Sequence, residues 1–432
     1  MDEGLYRIIA FAGFGVVAFL AWLTGKRAPV NWQTIGGSFA LAWVLGVLTF
    51  WLPWSRQALS WLNDGLIAVL NVYQKGNIFL FGPLAIGPGQ TLPDGTGSIG
   101  FVLAMQVLPA VIFYSAVVAG LYYLKIMPAL VRGFAWLFYR LMRISGAEAL
   151  AASANIFVGI ESGLTIRPYL AAMTLSELLT LLTCMMATVA STVMAIYVIA
   201  LQGVFPEIAG HLVSASIISI PCAILISKLT LPEDGQPQSL SDLPVAAGET
   251  GSGNDKTRTP SNLMVALIEG GMQGLKMAVG IATLLIVFLG LEAVVDLALG
   301  VLPQMGGTPL SLNRILSWLA WPFTVFMGLR PEEWQTASQI LGARFVETEV
   351  AAYFYLAEVQ GATPPALTPR SLTVLTYALC GFVHVASMGI FVGGLAALIP
   401  SRIQDVSRLG LRALWTAFLA TVLTGCIAGV LA

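Results

Sequence analysis

The chain has 432 residues, 57% of them hydrophobic and 10% charged, with a formal net charge of −1 at pH 7. A soluble domain carries about a quarter charged residues, so most of this surface is not made for water. The near-neutral balance gives no case for a nucleic-acid partner. The cysteines Cys184, Cys222, Cys380 and Cys426 stand singly in apolar runs, with neither metal-ligand spacing nor a disulfide framework.

Apolar runs at 5–23, 35–51, 102–124, 178–201, 275–291 and 411–431 approach or exceed the ~20 residues that cross a bilayer. They are continuously apolar rather than alternating, which argues against a β-barrel. The opening Met1-Asp-Glu is acidic, so no cleavable leader is expected. Residues 1–98 read as an N-terminal scaffold: spanning helices near 5–23 and 34–52, then an amphipathic stretch at 55–75 suited to the interface plane. Residues 99–231 read as a first repeat. It has a spanning helix near 99–124, an Arg-decorated segment ending at Ile144-Ser-Gly146, and an interrupted apolar segment at 147–170. Helices follow near 175–203 and 207–231. The interrupted segment holds Asn155, Glu161, Gly163, Arg167 and Pro168, and is expected to be a re-entrant hairpin. Such backbone is tolerated at membrane depth only when buried in protein or lining a cavity.

Residues 232–261 are rich in Gly, Pro, Ser and Asp and read as a polar linker. The second repeat, 262–432, has an amphipathic entry at 262–276 and a spanning helix to about 300. A Trp-rich interfacial piece at 312–329 and a second interrupted segment at 331–356 come next, then helices near 369–397 and 405–431. Both halves share one order, and Thr188-Val-Ala-Ser191 is echoed by His384-Val-Ala-Ser387. Paired broken helices in internal repeats mark secondary transporters. The expected fold is an all-α polytopic membrane protein with an interrupted segment in each repeat and interfacial amphipathic helices.

A charge at a helix centre costs ~2.5–3.5 kcal/mol on insertion scales. Glu161 and Glu349 are therefore expected to face one wet cavity, whereas Glu347 has Arg344 three residues away as a pairing partner. Ionised carboxylates accept hydrogen bonds only, which suits ligand hydroxyls, and they also suit cations. His384 lies among Gly381, Phe382, Ser387 and Gly389, where a helix can unwind, and reads as a polar handle that titrates near neutral pH. Glu292 and Asp296, spaced i, i+4, are expected on a wetted face. Lys and Arg counts leave the orientation open. Gly-x-Ser-x-Gly, Walker and paired metal-ligand motifs are not seen, so enzyme chemistry is not expected.

Several long stretches resemble the concentrative nucleoside transporters: QVLPAVIFYSAVVAGLYYL at 106–124, RISGAEALAASANIFVG at 143–159, IRPYLAAMTLSELLTLLT at 166–183, YALCGF at 377–382 and LGLRALWTAFLATVLTGCIAGVL at 409–431. The resemblance implies a homotrimer in a bacterial inner membrane, each protomer enclosing one small-molecule substrate and driven by Na⁺ or H⁺ without a bound cofactor. It implies that the repeats are inverted, with two re-entrant hairpins, at 147–170 and 331–356, and two discontinuous helices, those that carry Ser191 and Ser387. Substrate contacts are implied at Glu161, Val193, Thr348, Glu349, Phe382, His384 and Ser387, and a Na⁺ site at Asn155, Val158, Thr188 and Val189. The family's Asn-Glu-Phe becomes Thr348-Glu349-Val350 here, and its ribose-binding Asn becomes His384. The Gly-Gln-Thr-Glu of the first hairpin becomes Gly159-Ile-Glu161, so the base-reading Gln and Thr are gone. Losing hydrogen-bonding groups changes what a site recognises. The substrate readings that stay open are a purine nucleoside, a modified nucleoside or another hydroxylated molecule. A non-transporting sensor or gate on the same scaffold is the alternative.

Overall fold

The computed structural model describes residues 3–87, 89–159, 162–237, 260–302 and 309–432. Glu161 and residues 238–259 of the expected linker lie outside them. Helices α1 (Glu3–Thr24) and α2 (Trp32–Phe50) are followed by the long α3 (Pro53–Phe81), which exposes Trp54 and Trp61. Next come α4 (Leu103–Gln106), α5 (Leu108–Tyr123) and α6 (Ile126–Met142). The first interrupted segment comprises α7 (Gly146–Ala154), α8 (Ser162–Thr165) and α9 (Arg167–Leu170). Then follow α10 (Leu175–Ala187), α11 (Ser191–Leu201) and α12 (Ile208–Thr230). The second half runs α13 (Leu263–Leu299), α14 (Leu312–Phe326), α15 (Trp334–Glu347), α16 (Glu349–Gly361), α17 (Pro369–Leu379), α18 (Val385–Leu398) and α19 (Ile403–Leu431). Among the described residues, seven helical stretches are long and apolar enough to cross a membrane.

The halves are repeats of one plan. Each has a spanning helix (α5, α13), an amphipathic helix (α6, α14), a hairpin (α7–α9, α15–α16), a broken helix (α10–α11, α17–α18) and a closing helix (α12, α19). Two differences from the sequence expectation have physical causes. The entry at 262–276 is not a separate element, because α13 runs unbroken through Gly270 and Gly274. These glycines, with Ala266 and Ala278, form a buried stripe of small residues at i+4 spacing against α5. A Cβ added at either would come within 2.7 Å of α5 atoms. The second hairpin also reaches Gly361 rather than 356, since residues 357–361 contain no helix breaker before the Pro-rich turn.

Carboxylates tie each hairpin base to the helix that follows. In the first half, Ser145 caps α7 with Glu148, Thr174 caps α10 with Glu177, and Ser145 Oγ donates to Glu177 Oε1 at 2.5 Å. In the second half the roles are exchanged. Glu333, on the hairpin, accepts from Thr368 N at 2.6 Å and Ser371 Oγ at 2.5 Å, at the start of α17. Capping of this kind satisfies the orphan amides of a helix start. Lys228 near the end of α12 neutralises the first cluster, reaching Glu148 Oε1 at 2.6 Å and Ser176 Oγ at 3.0 Å.

Removing one member of a buried charge pair costs about 3–5 kcal/mol because the other is left unpaired. Lys228→Met is expected to lower the melting temperature in detergent sharply, and Glu148→Gln added to it should restore part of the loss. A melting point equal to the wild type would show that the cluster adds no stability.

Candidate functional site

The site begins with a backbone irregularity. Thr348, between α15 and α16, has φ 91° and ψ 160°, a region that essentially only glycine occupies freely. Holding a β-branched residue there costs about 1–3 kcal/mol. The strain allows the hairpin to turn inside the protein and makes Glu349 the first residue of α16, where the positive end of the helix favours an anion.

The Glu349 carboxylate is buried and lies against two partners. Tyr197 Oη on α11 donates to Oε1 at 2.8 Å, and His384 Nε2 approaches Oε2 at 2.7 Å. Tyr197 stacks on Tyr353, with ring centroids 4.5 Å apart, and Tyr353 Oη donates to the Thr376 carbonyl at 2.9 Å. His384 is the N-cap of α18, and its Nδ1 accepts the Ser387 backbone N–H at 3.2 Å. With Nδ1 turned to the Ser387 N–H, Nε2 is the ring nitrogen that faces Glu349. The Ser387 hydroxyl is held at the Phe382 carbonyl and, at 2.8 Å, the His384 carbonyl.

These groups face a cavity of about 340 Å³. Val193, Thr348, Glu349, Phe382, His384 and Ser387, all singled out from the sequence, line it together, while Glu161 falls outside the described residues. Gly159, Ala190, Val350, Ile390 and Phe391 complete that side, and α13 closes the other with Gln273, Lys276, Met277, Gly280, Ile281, Leu284 and Leu285. A second cavity of about 1220 Å³ shares Gln273 and Met277 with the first and is lined further out by Lys125, Arg132 and Glu269. Sequence reasoning missed Tyr197, Gln273 and Lys276. Each carried a signal, as a polar side chain in an otherwise apolar spanning run.

The second expected cluster lies where the first hairpin meets the break between α10 and α11. Asn155, the C-cap of α7, is wholly buried, and neither polar atom of its side chain has a partner. Thr188 Oγ1, in the break, lies 3.1 Å from the Asn155 carbonyl. Ser191 Oγ donates to the Phe157 carbonyl at 2.6 Å and pins the hairpin turn to the break. Val189 is buried beside Thr188, and Val158 is half-buried at the edge of the larger cavity. A buried amide oxygen without a donor, next to a hydroxyl and turn carbonyls, is a donor set suited to a hard cation.

Four charged positions differ from expectation. Arg344 does not turn to Glu347. It donates to the Ala378 carbonyl and, at 3.2 Å, to Thr421 Oγ1. Ala378 lies in the last turn of α17, where carbonyls are left unpaired and the helix end is negative, so the cation is drawn inward. Glu347 instead accepts from Asn313 Nδ2 at 3.4 Å. Asp296 accepts the Leu312 N–H at 2.7 Å, so Glu292 and Asp296 anchor α14 and the hairpin to α13 rather than simply facing water.

Two hairpins, two broken helices and a cavity between them that meets a buried carboxylate define the class of a secondary transporter. Comparison with known proteins is specific. The family described as Na⁺ dependent nucleoside transporter C-terminus matches residues 211–429, its N-terminal counterpart matches 12–84, and a nucleoside recognition (Gate) region matches 104–203. The nucleoside permease NupC of Helicobacter pylori is 32% identical, with 98% of this chain and 97% of that protein covered. Sodium/nucleoside cotransporter 1 of Rattus norvegicus is also 32% identical over 98% of this chain, which spans 64% of that longer protein. A solved structure of CNTnw in an inward-facing, substrate-bound state superposes with a TM-score of 0.87 at 30% identity, covering 99% of this chain and 98% of that one. The chain belongs to the Na⁺ dependent nucleoside transporter family.

Hydrogen bonds to charged groups contribute about 1.5–3 kcal/mol. Tyr197→Phe keeps the stack on Tyr353 and removes one donor from Glu349, so it is expected to lower the melting temperature by a corresponding amount. Ring-edge packing alone would leave the melting point unmoved.

Proposed function

We propose that this protein is a secondary active symporter that carries a nucleoside across a bacterial inner membrane down a Na⁺ gradient. The observation that carries the reading is Glu349, an acceptor held ready for ligand hydroxyls at the edge of a 340 Å³ cavity by Tyr197 and His384. That volume suits one small molecule. Val193, Phe382 and Phe391 offer apolar surface to a flat ring, while Glu349 and Thr348 take the sugar hydroxyls. Ser387 acts indirectly, by fixing His384. Glu161, the further contact that the family resemblance implies, lies outside the described residues.

Na⁺ would be held by Asn155, Val158, Thr188 and Val189, at the junction of the first hairpin and the α10–α11 break. The unpartnered Asn155 side chain supports this assignment. A proton is the alternative coupling ion. The cavity shared through Gln273 and Met277 supports a route to one membrane face, and alternating access moves the two hairpins and broken helices against a scaffold of the N-terminal helices, α5 and α13. The repeats would run over 99–231 and 262–432, and the assembly would be a homotrimer in contact with lipid. The exposed apolar face of α13, with Ile286, Val294 and Leu297, suits such surroundings. The chemistry is transport and not catalysis.

The test is uptake of labelled nucleosides into proteoliposomes under an imposed Na⁺ gradient, an imposed H⁺ gradient, or neither. Uptake is expected only with the Na⁺ gradient. Glu349→Gln should reduce it by at least about tenfold, and Asn155→Leu should abolish its Na⁺ dependence. Uptake indifferent to both gradients would reject coupling. Nucleoside binding without flux would assign the chain to the sensor class instead.

A further inference from the structure

The polar groups on the two sides of the small cavity are opposite in kind. On the hairpin side three groups are already engaged: Tyr197 Oη donates to Glu349, His384 Nε2 lies against it at 2.7 Å, and the Ser387 N–H serves His384 Nδ1. What that side offers a ligand is the remaining capacity of the carboxylate and the hydroxyl of Thr348, which is 4% exposed and has no partner. On the α13 side stand Gln273 and Lys276. Among the described residues no hydrogen bond or ion pair engages either of them. With Glu269 they form a stripe at i, i+4 and i+7, one helix face, and this stripe runs from the larger cavity into the smaller one. Lys276 lies roughly 20 Å along α13 from its start.

We infer that Lys276, oriented beside Gln273, is the specificity-determining residue of the site, and that it selects nucleosides whose base is a 6-oxopurine. This deepens the nucleoside reading above and rests on it. A ligand that fits both sides must present hydroxyls at one end and closely paired acceptors at the other. An ammonium has three donors and no acceptor. A 6-oxopurine sets its O6 and N7 acceptors side by side, the arrangement a lysine recognises, whereas a 6-aminopurine puts an N–H₂ donor at the first position. Cytosine also presents an amino donor, and uracil presents O4 beside a C–H. Gln273 has both a donor and an acceptor, so it tolerates each base, and the discrimination falls to Lys276.

The experiment compares KM for inosine and adenosine in Na⁺-energised proteoliposomes of wild type, Lys276→Met and Lys276→Arg. The wild type should favour inosine by at least about tenfold. Lys276→Met should bring the two KM values together, and Lys276→Arg, which keeps a cationic donor, should restore the preference. A second measurement needs no variant: 7-deazainosine and purine riboside, which lack N7 and O6 respectively, should each compete against labelled inosine at least about tenfold less well than unlabelled inosine. Equal KM values in the wild type, an unchanged ratio in Lys276→Met, or full competition by the two analogues would overturn the assignment of Lys276 while leaving nucleoside transport intact. A wild type that takes up neither inosine, adenosine nor uridine would overturn the nucleoside reading itself, and this inference with it.

Discussion

A carboxylate buried at membrane depth is the constraint from which much of this architecture follows. Glu349 is tolerable there only if its oxygens meet donors, because an isolated ion in a low-dielectric interior is far too costly. The donors come from two other elements: Tyr197 from α11, and His384 from the start of α18. A continuous helix could not offer His384 as a cap, and a straight hairpin could not aim Glu349 at it. The break at Cys380–His384 and the strained turn at Thr348 are thus two parts of one solution. Each exposes backbone groups that lipid would not satisfy, so both must lie inside protein. Gly381 shows how closely they are enclosed: a Cβ there would come within 2.8 Å of the Met186 carbonyl oxygen, at the end of α10, so the two broken helices meet at their breaks.

The same requirement explains why the periphery is built differently. The α5–α13 contact uses Gly270, Gly274, Ala266 and Ala278, with backbones brought close and no buried charge. The hairpin bases use carboxylates, capping boxes and Lys228. Close van der Waals packing holds two helices together without specifying much polar chemistry. Capped, charged junctions fix the angle at which a short helix enters the protein. The exchange of roles between Glu177 and Glu333 is what two repeats diverging under one geometric demand would leave behind: each keeps a carboxylate at the junction, but not on the same element.

Much of the fold was legible in the sequence because apolar length and polar interruption are both written in composition. The broken helices were not legible from apolarity alone. Residues 175–203 and 369–397 remain largely apolar through their breaks; the glycines around His384, the recurrent Val-Ala-Ser and the family resemblance pointed to them. The caps could have been read directly, since Ser145-Gly-Ala-Glu148 and Thr174-Leu-Ser-Glu177 are capping boxes ahead of apolar runs. Arg344 misled for a physical reason. Spacing relates it to Glu347, but the unpaired carbonyl of Ala378 at the end of a different helix competes more strongly. Tyr197 went unread because a single polar residue in a spanning helix has no periodicity of its own and its partner lies far along the chain, whereas Gln273 and Lys276 fell within the stretch read as an amphipathic entry.

The cavity's polarity also bears on how binding energy would be used. A carboxylate has about four acceptor positions, and Glu349 uses two of them on Tyr197 and His384. Those donors fix its position and orientation before any ligand arrives, leaving the other acceptor positions in a defined direction. Little reorganisation is then charged against binding, which is the general gain from preorganisation. The Ser387 N–H on His384 Nδ1 caps α18, so the same contact that starts the helix fixes where the imidazole meets Glu349.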